Sequence, residues 1–353
     1  MRVLLTLYST SLGGAEESIL QLAEGLAKRK EQVFVLWVSS CPINLPLPQG
    51  VRIWKLRMPL RIYGILSGLI VSLICLAYKI QLVNLNWRFV DAESRFLRGL
   101  GIKSVATVRA ILLDRSDISE YRYTDAIIGI SQAVIDRVKE LGYRKKCYLV
   151  YNGIETNKLD FFSNKLDFFS KIKIKRYSLL SMSRLVGWKR VDWSIRAVSR
   201  LRNEGIPVEL DIYGDGPEED NLKKLISDLS ADSFIKMKGR VDKNDRVLGE
   251  YGIYLIPSYA EPFGKTIIEN VIRGKVIVGT NYGGIPELLK DYDLLFERDS
   301  LDDYIEKIKE ALNNYQKYSR QIHTMSEHFL RYFDMDRVAE DYRQIYRSVL
   351  ESE

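Results

Sequence analysis

Cysteine and histidine are scarce in this chain of 353 residues. The three cysteines, Cys41, Cys75 and Cys147, have neither paired nor metal-type spacing, which argues against a disulfide framework and fits a reducing compartment. Only two histidines occur, His323 and His328, both in a late helical pattern, so a histidine general base is not expected. A secretory leader is not expected either. Residues 2–7 enter an apolar strand run almost at once, and the expected address is the cytoplasm. No basic helix with interleaved stacking aromatics appears, which argues against nucleic acid as a partner. Nor is there a G-x-G-x-x-G after a strand. Gly214-Asp215-Gly216 lacks the third glycine and the first strand leads to Gly13-Gly14, which argues against a dinucleotide oxidoreductase.

What is present is an alternation of apolar strand runs and helical patterns, the signature of an α/β fold with parallel sheets. Single cores stop growing at roughly 250–300 residues, so a chain of this length is expected to hold two. The first half is expected to carry strands near 2–7, 32–38, 51–55, 81–86, 104–108, 126–130 and 147–151. The second half repeats the logic with strands near 177–182, 207–213, 233–238, 252–256 and 275–279. Charge divides unevenly between them. Residues 1–150 hold 21 Lys and Arg against 12 Asp and Glu, a net of +9, and the remainder nets −2. An anionic membrane surface or a lipid-diphosphate acceptor fits that excess better than nucleic acid does.

The most informative stretch runs from 257 to 270. Two glutamates, Glu261 and Glu269, bracket seven residues beginning Pro262-Phe263-Gly264. An apolar strand run precedes Glu261 and a helical pattern follows it, so both carboxylates fall beside one helix N-terminus. That end offers N–H groups without helical partners and a positive dipole for a phosphate, while flanking carboxylates accept from sugar hydroxyls. A phosphate between two hydroxyl-rich groups describes a nucleotide sugar.

This segment resembles the E-x7-E motif of retaining family 4 glycosyltransferases (glycosyl transferases group 1). Their GT-B fold is α/β, with two Rossmann-like domains whose parallel sheets face across a donor-binding cleft. Further landmarks follow in order: Gly13-Gly14-Ala15-Glu16, Asn152-Gly153-Ile154-Glu155, Arg184 and Lys189 in the run 183–190, Gly214-Asp215-Gly216-Pro217, Gly239-Arg240-Val241, and Gly283-Gly284-Ile285-Pro286-Glu287. The resemblance covers nearly the whole chain. It implies an acceptor-binding domain over 1–156, a linker over 157–174, a nucleotide-sugar-binding domain over 175–334, and a helix over 335–353 crossing back to the first domain.

The resemblance also implies roles. Arg184 and Lys189 hold the donor diphosphate and stabilise its departing charge, and Glu261 bonds the donor sugar. The backbone of Phe263, Gly264, Lys265 and Thr266 assists, and Glu269 accepts from the ribose hydroxyls unless it is an ordinary exposed helix glutamate. Arg240 lies by the base pocket. Gly13 and Gly14 allow close approach of a ligand, Gly283 and Gly284 allow a loop to approach the donor, and Glu16 orients the first loop or serves only as a first-turn acid. No metal or other cofactor is implied. Asp291-Tyr292-Asp293 and Asp334-Met335-Asp336 have the spelling of a metal motif but read as solvated turns and caps.

Two positions depart from the family. Where it often has a histidine at the end of a first-domain strand, Arg109 stands. An arginine cannot act as a base at neutral pH but can bind a donor carboxylate or an acceptor phosphate. Lys265 replaces an uncharged residue and opposes the helix dipole unless a diphosphate is bound.

Two segments resist assignment to the site. Residues 157–163 are repeated verbatim as 164–170, a tandem duplication read as a tolerated linker insertion or as a Phe pair that docks elsewhere. Residues 62–78 are 17 uncharged residues between Arg61 and Lys79. A bilayer span, an internal helix and a helix lying in the membrane interface are all compatible with that run, and only the last explains why no face is polar.

The expected protein is a peripheral enzyme on the cytoplasmic face of the inner membrane. It moves a sugar from a UDP- or GDP-sugar to a lipid-linked or oligosaccharide acceptor for a bacterial surface polysaccharide. A non-catalytic nucleotide-sugar-binding scaffold and a soluble sugar synthase with a small acceptor are the alternatives.

Overall fold

Strands β1 (Arg2–Ser9), β2 (Gln32–Ser39), β4 (Leu82–Asn86) and β5 (Lys103–Val108) are buried along almost their whole length, as strands covered on both faces must be. With β3 (Val51–Arg57), β6 (Ala126–Gly129) and β7 (Lys146–Leu149) they form a seven-stranded parallel sheet in the order β3-β2-β1-β4-β5-β6-β7. The computed structural model describes residues 1–9, 14–39, 47–86, 88–111, 115–155, 175–241 and 246–352. Gly13, Cys41 and the repeat over 157–170 lie outside the described residues. The chain divides into two units, one comprising Met1–Glu155 with Phe333–Glu353, the other Thr156–Tyr332.

In the first unit the sheet is crossed by α1 (Gly14–Lys28), α2 (Leu60–Tyr78), α3 (Val90–Gly99), α4 (Arg115–Ser119) and α5 (Gln132–Glu140). The strands flanking α2, β3 and β4, belong to one sheet, so a passage of α2 through a bilayer is ruled out.

The second unit has a six-stranded parallel sheet of β8 (Lys175–Met182), β9 (Glu209–Tyr213), β10 (Ile235–Gly239), β11 (Tyr251–Ile256), β12 (Val276–Thr280) and β13 (Leu295–Phe296), ordered β10-β9-β8-β11-β12-β13. Its helices are α6 (Val191–Asn203), α7 (Glu219–Asp228), α8 (Lys265–Ile272), α9 (Ile285–Leu288), α10 (Leu301–Asn313) and α11 (Tyr315–Tyr332). Strand order reverses between β8 and β11, and ligands of such sheets bind outside the carboxyl ends at that reversal.

The last helix, α12 (Met335–Glu351), belongs to the first unit and lies against α1. Val338, Ala339, Tyr342 and Tyr346 share a core with Leu22, Ala23 and Leu26. Contact is close enough that a Cβ at Gly25 would sit 2.6 Å from Ala339 Cβ. The Asn152-Gly153-Ile154-Glu155 segment is where this helix is tied in. Ile154 N–H donates to the Phe333 carbonyl at 2.8 Å, and Met335 N–H donates to the Ile154 carbonyl at 2.9 Å. A side chain at Gly153 would meet Met335 Cε at 2.8 Å. Asp334 caps α12 by accepting from Asp336 N–H, so one of the two Asp-x-Asp spellings is a helix cap.

Candidate active site

Every site residue expected in the second unit stands on a loop that follows the carboxyl end of a strand or on the helix that such a loop leads into. Arg184 and Lys189 follow β8, Asp215 follows β9, Arg240 follows β10, Glu261 and α8 follow β11, and Gly283-Gly284 follows β12. The Lys189 Nζ and the Glu261 carboxylate form an ion pair with both side chains largely buried, 14% and 10% exposed. Because β8 and β11 are neighbours, this pair spans the reversal in strand order. Arg184 is exposed on the same loop as Lys189. Glu269 is 4% exposed, which excludes the reading of an ordinary surface glutamate. Its backbone carbonyl accepts from Arg273 at 2.8 Å; burial holds that guanidinium below its ordinary pKa and the Glu269 charge draws it back up. Phe263 and Gly264 are buried, and Lys265 and Thr266 are half-buried at the start of α8, where first-turn N–H groups precede any intrahelical carbonyl.

Backbone packing fixes these loops. The Gly284 N–H donates to the Glu261 carbonyl at 2.8 Å. A Cβ on Gly284 would lie 2.6 Å from the Pro262 oxygen and 2.8 Å from Phe263 Cα, so glycine is required there by the turn that carries Glu261. The close approach that Gly284 permits is thus between its own loop and the turn that carries Glu261. Gly214 and Gly216 behave alike: side chains would strike the carbonyl oxygens of Ser183 and Leu185 at 1.8 and 2.3 Å, on the loop bearing Arg184. Gly264 has φ 97°, a left-handed conformation that favours glycine at the start of α8. Arg240 pairs with Asp215 through two contacts of 2.8 and 2.9 Å, and the guanidinium holds that carboxyl below its usual range.

Several contributing residues carried no sequence signal. The Tyr254 hydroxyl lies 3.0 Å from the Met182 carbonyl and 2.9 Å from Thr266 Oγ1, joining β8 to α8 under the site. Arg190 stacks on Trp193 and Tyr259 at 4.4 and 4.7 Å from the ring centres, and Arg298 on Tyr259 and Tyr282 at 4.5 and 4.1 Å. This ladder of alternating rings and guanidinium groups fastens the segments after β8, β11, β12 and β13 to one another at Tyr259, two residues before Glu261. The Tyr259 N–H adds a bond of 2.7 Å to the Trp188 carbonyl.

Acceptor-side candidates lie in the first unit. Arg109 follows β5, its Nε donating to Asn86 at 3.3 Å and its terminal nitrogen to Asn152 at 2.6 Å. Asn152 thereby acquires a local role, holding the arginine at the carboxyl edge of the sheet. Glu16 is 8% exposed in the first turn of α1. At Gly14 a Cβ would meet nothing within 4 Å among the described residues, so packing does not demand a glycine. No group of three His, Cys, Asp or Glu side chains able to hold a metal occurs among the described residues.

Comparison with known proteins identifies the family and the fold. Residues 12–158 match the model described as Glycosyltransferase Family 4, and residues 163–327 the model described as Glycosyl transferases group 1. The GtfA subunit of the UDP-N-acetylglucosamine–peptide N-acetylglucosaminyltransferase of Streptococcus gordonii is 37% identical over 105 residues, 30% of this chain and 21% of that protein. The chain thus matches about a fifth of that relative. The lipopolysaccharide core biosynthesis glycosyltransferase LpsE of Rhizobium meliloti is 25% identical over 235 residues, 65% of this chain and 66% of LpsE. Anabaena HepE, solved in complex with UDP-glucose, superposes with a TM-score of 0.79 at 19% identity, over 99% of this chain and 100% of HepE. At that identity the likeness is one of fold, the GT-B pair of parallel-sheet Rossmann-like domains.

Proposed function

The chain belongs to the glycosyltransferases of family 4 and group 1, and from that membership we propose that it is a retaining enzyme using a nucleoside-diphosphate sugar. The observation that carries the reading is the Lys189–Glu261 ion pair across the strand-order reversal, with exposed Arg184 on the loop of Lys189 and α8 opening just after the turn of Glu261. A diphosphate placed there meets two cations and a helix dipole, and these stabilise the charge that grows as it leaves. The bond from the anomeric carbon to the diphosphate oxygen breaks, and the acceptor oxygen bonds the same face. The acceptor proton passes to the departing phosphate oxygen, so no histidine base is needed. Glu261 orients a donor-sugar hydroxyl while holding Lys189, and Glu269 accepts from the ribose.

UDP is favoured over GDP as the donor nucleotide because HepE was solved in complex with UDP-glucose and GtfA belongs to a UDP-N-acetylglucosamine-dependent transferase. The acceptor is a hydroxyl of a lipid-linked glycan in surface polysaccharide assembly, supported by the basic first domain and the likeness to LpsE. Arg109 binds an acceptor phosphate or a donor carboxylate, and transfer needs no metal.

The test is thermal shift of purified protein with UDP, GDP, ADP, their sugars and NAD(H), with and without EDTA. Stabilisation by UDP that is insensitive to EDTA and lost in Glu269→Ala is expected. A response to NAD(H) alone would overturn the reading.

A further inference from the structure

Helix α2 is built inside out. Tyr63, Ser67, Gly68, Val71, Ser72 and Cys75 face the interior, whereas Ile62, Ile65, Leu66, Leu69, Leu73 and Leu76 face outward at 40–80% exposure. The outward residues recur at three- and four-residue spacing, so they form one continuous aliphatic stripe. A helix serving only a soluble core would place its large aliphatic side chains inside and its serines outside. The inner face is instead shaped for closeness. Side chains at Gly64 and Gly68 would run into the rings of Phe89 and Phe96 at 2.5 and 2.3 Å, so small residues let α2 settle on α3. Phe96 and Leu100, 45% and 44% exposed on the α3 side, widen the stripe, and a groove of about 480 Å³ runs between them and Leu69, Leu73 and Leu76.

Cations frame this surface. Arg61 and Lys79 stand exposed at the two ends of α2, and Arg95 and Arg98 along the α3 side. The acids of α3 do not offset them: Glu93 is fully buried and Asp91 is paired with Arg122. An apolar centre with a cationic border is complementary to the interface of an anionic bilayer.

We propose that the α2–α3 face seats in the interface of an anionic bilayer, with α2 lying in the membrane plane. Nineteen residues at ~1.5 Å rise give a contact about 28 Å long. The N-terminal end of α2 reaches the carboxyl edge of the sheet, where the Tyr63 hydroxyl meets Tyr8 at the end of β1. Docking therefore brings the bilayer beside the same sheet edge from which Arg109 projects. The proposal rests on a lipid-linked acceptor for its purpose, but not for its test.

The test is flotation of purified protein with vesicles of phosphatidylcholine alone and of phosphatidylcholine with phosphatidylglycerol. The parent is expected on the mixed vesicles and not on the neutral ones. Ile65→Gln with Leu73→Gln, both outside the catalytic machinery, lowers that binding about tenfold while UDP-induced stabilisation persists, showing that the variant is folded. Arg61→Gln with Arg95→Gln and Arg98→Gln removes the preference for phosphatidylglycerol. Binding of the Gln variants equal to the parent overturns the proposal. So does a parent that ignores both vesicles and elutes as a dimer dispersed by Ile65→Gln/Leu73→Gln, which would give the face to a second copy. Vesicle binding combined with transfer to water-soluble acceptors as fast as to lipid-linked ones supports the docking and overturns only the lipid-linked acceptor.

Discussion

Lys189 and Glu261 meet as an ion pair although they stand on loops 72 residues apart, one on each side of the point where the strand order reverses. Removing the cation has two consequences. Lys189→Gln is expected to lower kcat by about 10²–10³, the usual loss when one stabiliser of developing charge is deleted. It also leaves a largely buried carboxylate without its partner, so the melting temperature falls. Glu261→Gln keeps the lysine and loses the pair, and should reduce turnover with less change in nucleotide affinity. Turnover of Lys189→Gln within about threefold of the parent would remove Lys189 from the reaction.

Glycines at the two sheet edges should separate by cause. Gly284→Ala forces a methyl against the Pro262 carbonyl and is expected to cost about 1–3 kcal/mol and to displace Glu261. Gly14→Ala meets nothing within 4 Å among the described residues and should leave stability unchanged. Urea denaturation of both variants checks this. If Gly14 serves ligand approach, its alanine variant raises KM with an unaltered midpoint.

Lys265 opens α8, where a positive charge opposes the helix dipole. A bound diphosphate turns that opposition into attraction. Lys265→Leu is therefore expected to stabilise the free protein slightly and to weaken UDP binding, as read by titration calorimetry. Unchanged affinity would leave Lys265 a surface residue.

Two buried ionisable groups act on stability in opposite senses. Burial pushes Glu93 up to about 8, hydrogen bonds from Tyr8 and Tyr63 pull against it, and nearby Glu120 adds to the rise; Cys75, raised to about 12, is the other titratable neighbour. The native state binds this proton more tightly than the unfolded chain, so stability falls as pH rises from about 4.5 to about 8. The melting temperature of Glu93→Gln should gain on the parent across that window and run parallel above it. Lys275 is fully buried, donates to the carbonyls of Gly249 and Tyr251, and is pushed down to about 7 by burial and then by Arg273. Here the unfolded chain binds the proton more tightly, so stability rises between about 7 and 10.5. Lys275→Met should show its largest gain below neutral pH and lose it toward pH 10.5. Parallel curves for either variant would show that its group does not titrate as described.

Much of the second unit was legible because its signals are local. A strand run, a turn with Pro-Phe-Gly and a helix place Glu261 and Glu269 within nine residues of chain, and strand alternation predicts two parallel sheets. Signals that join distant loops were not legible. Arg190 and Arg298 share Tyr259 across 108 residues, and nothing near either arginine announces the other. The demand for glycine at 284 arises from a carbonyl at Pro262, so sequence could register the glycine but not its cause. Helix α2 shows a different limit. Periodicity detects a contrast between faces, and where serine, glycine and cysteine alternate with leucine and isoleucine the contrast is small. Which face turned inward was settled by Phe89 and Phe96, residues of the next loop and helix.

Ile154 and Asp334 form a bridge in which the segment leaving the first unit lies parallel to the segment returning to it. Topologically, the second unit is a passenger inserted into a host whose cut ends remain side by side. Such a host can be rejoined: a short graft from Glu155 to Phe333 would keep α12 on α1. A protein simply stopped at Glu155 would instead expose Leu22, Ala23 and Leu26 to water. Expression of the first unit alone is thus a problem of splicing rather than of truncation.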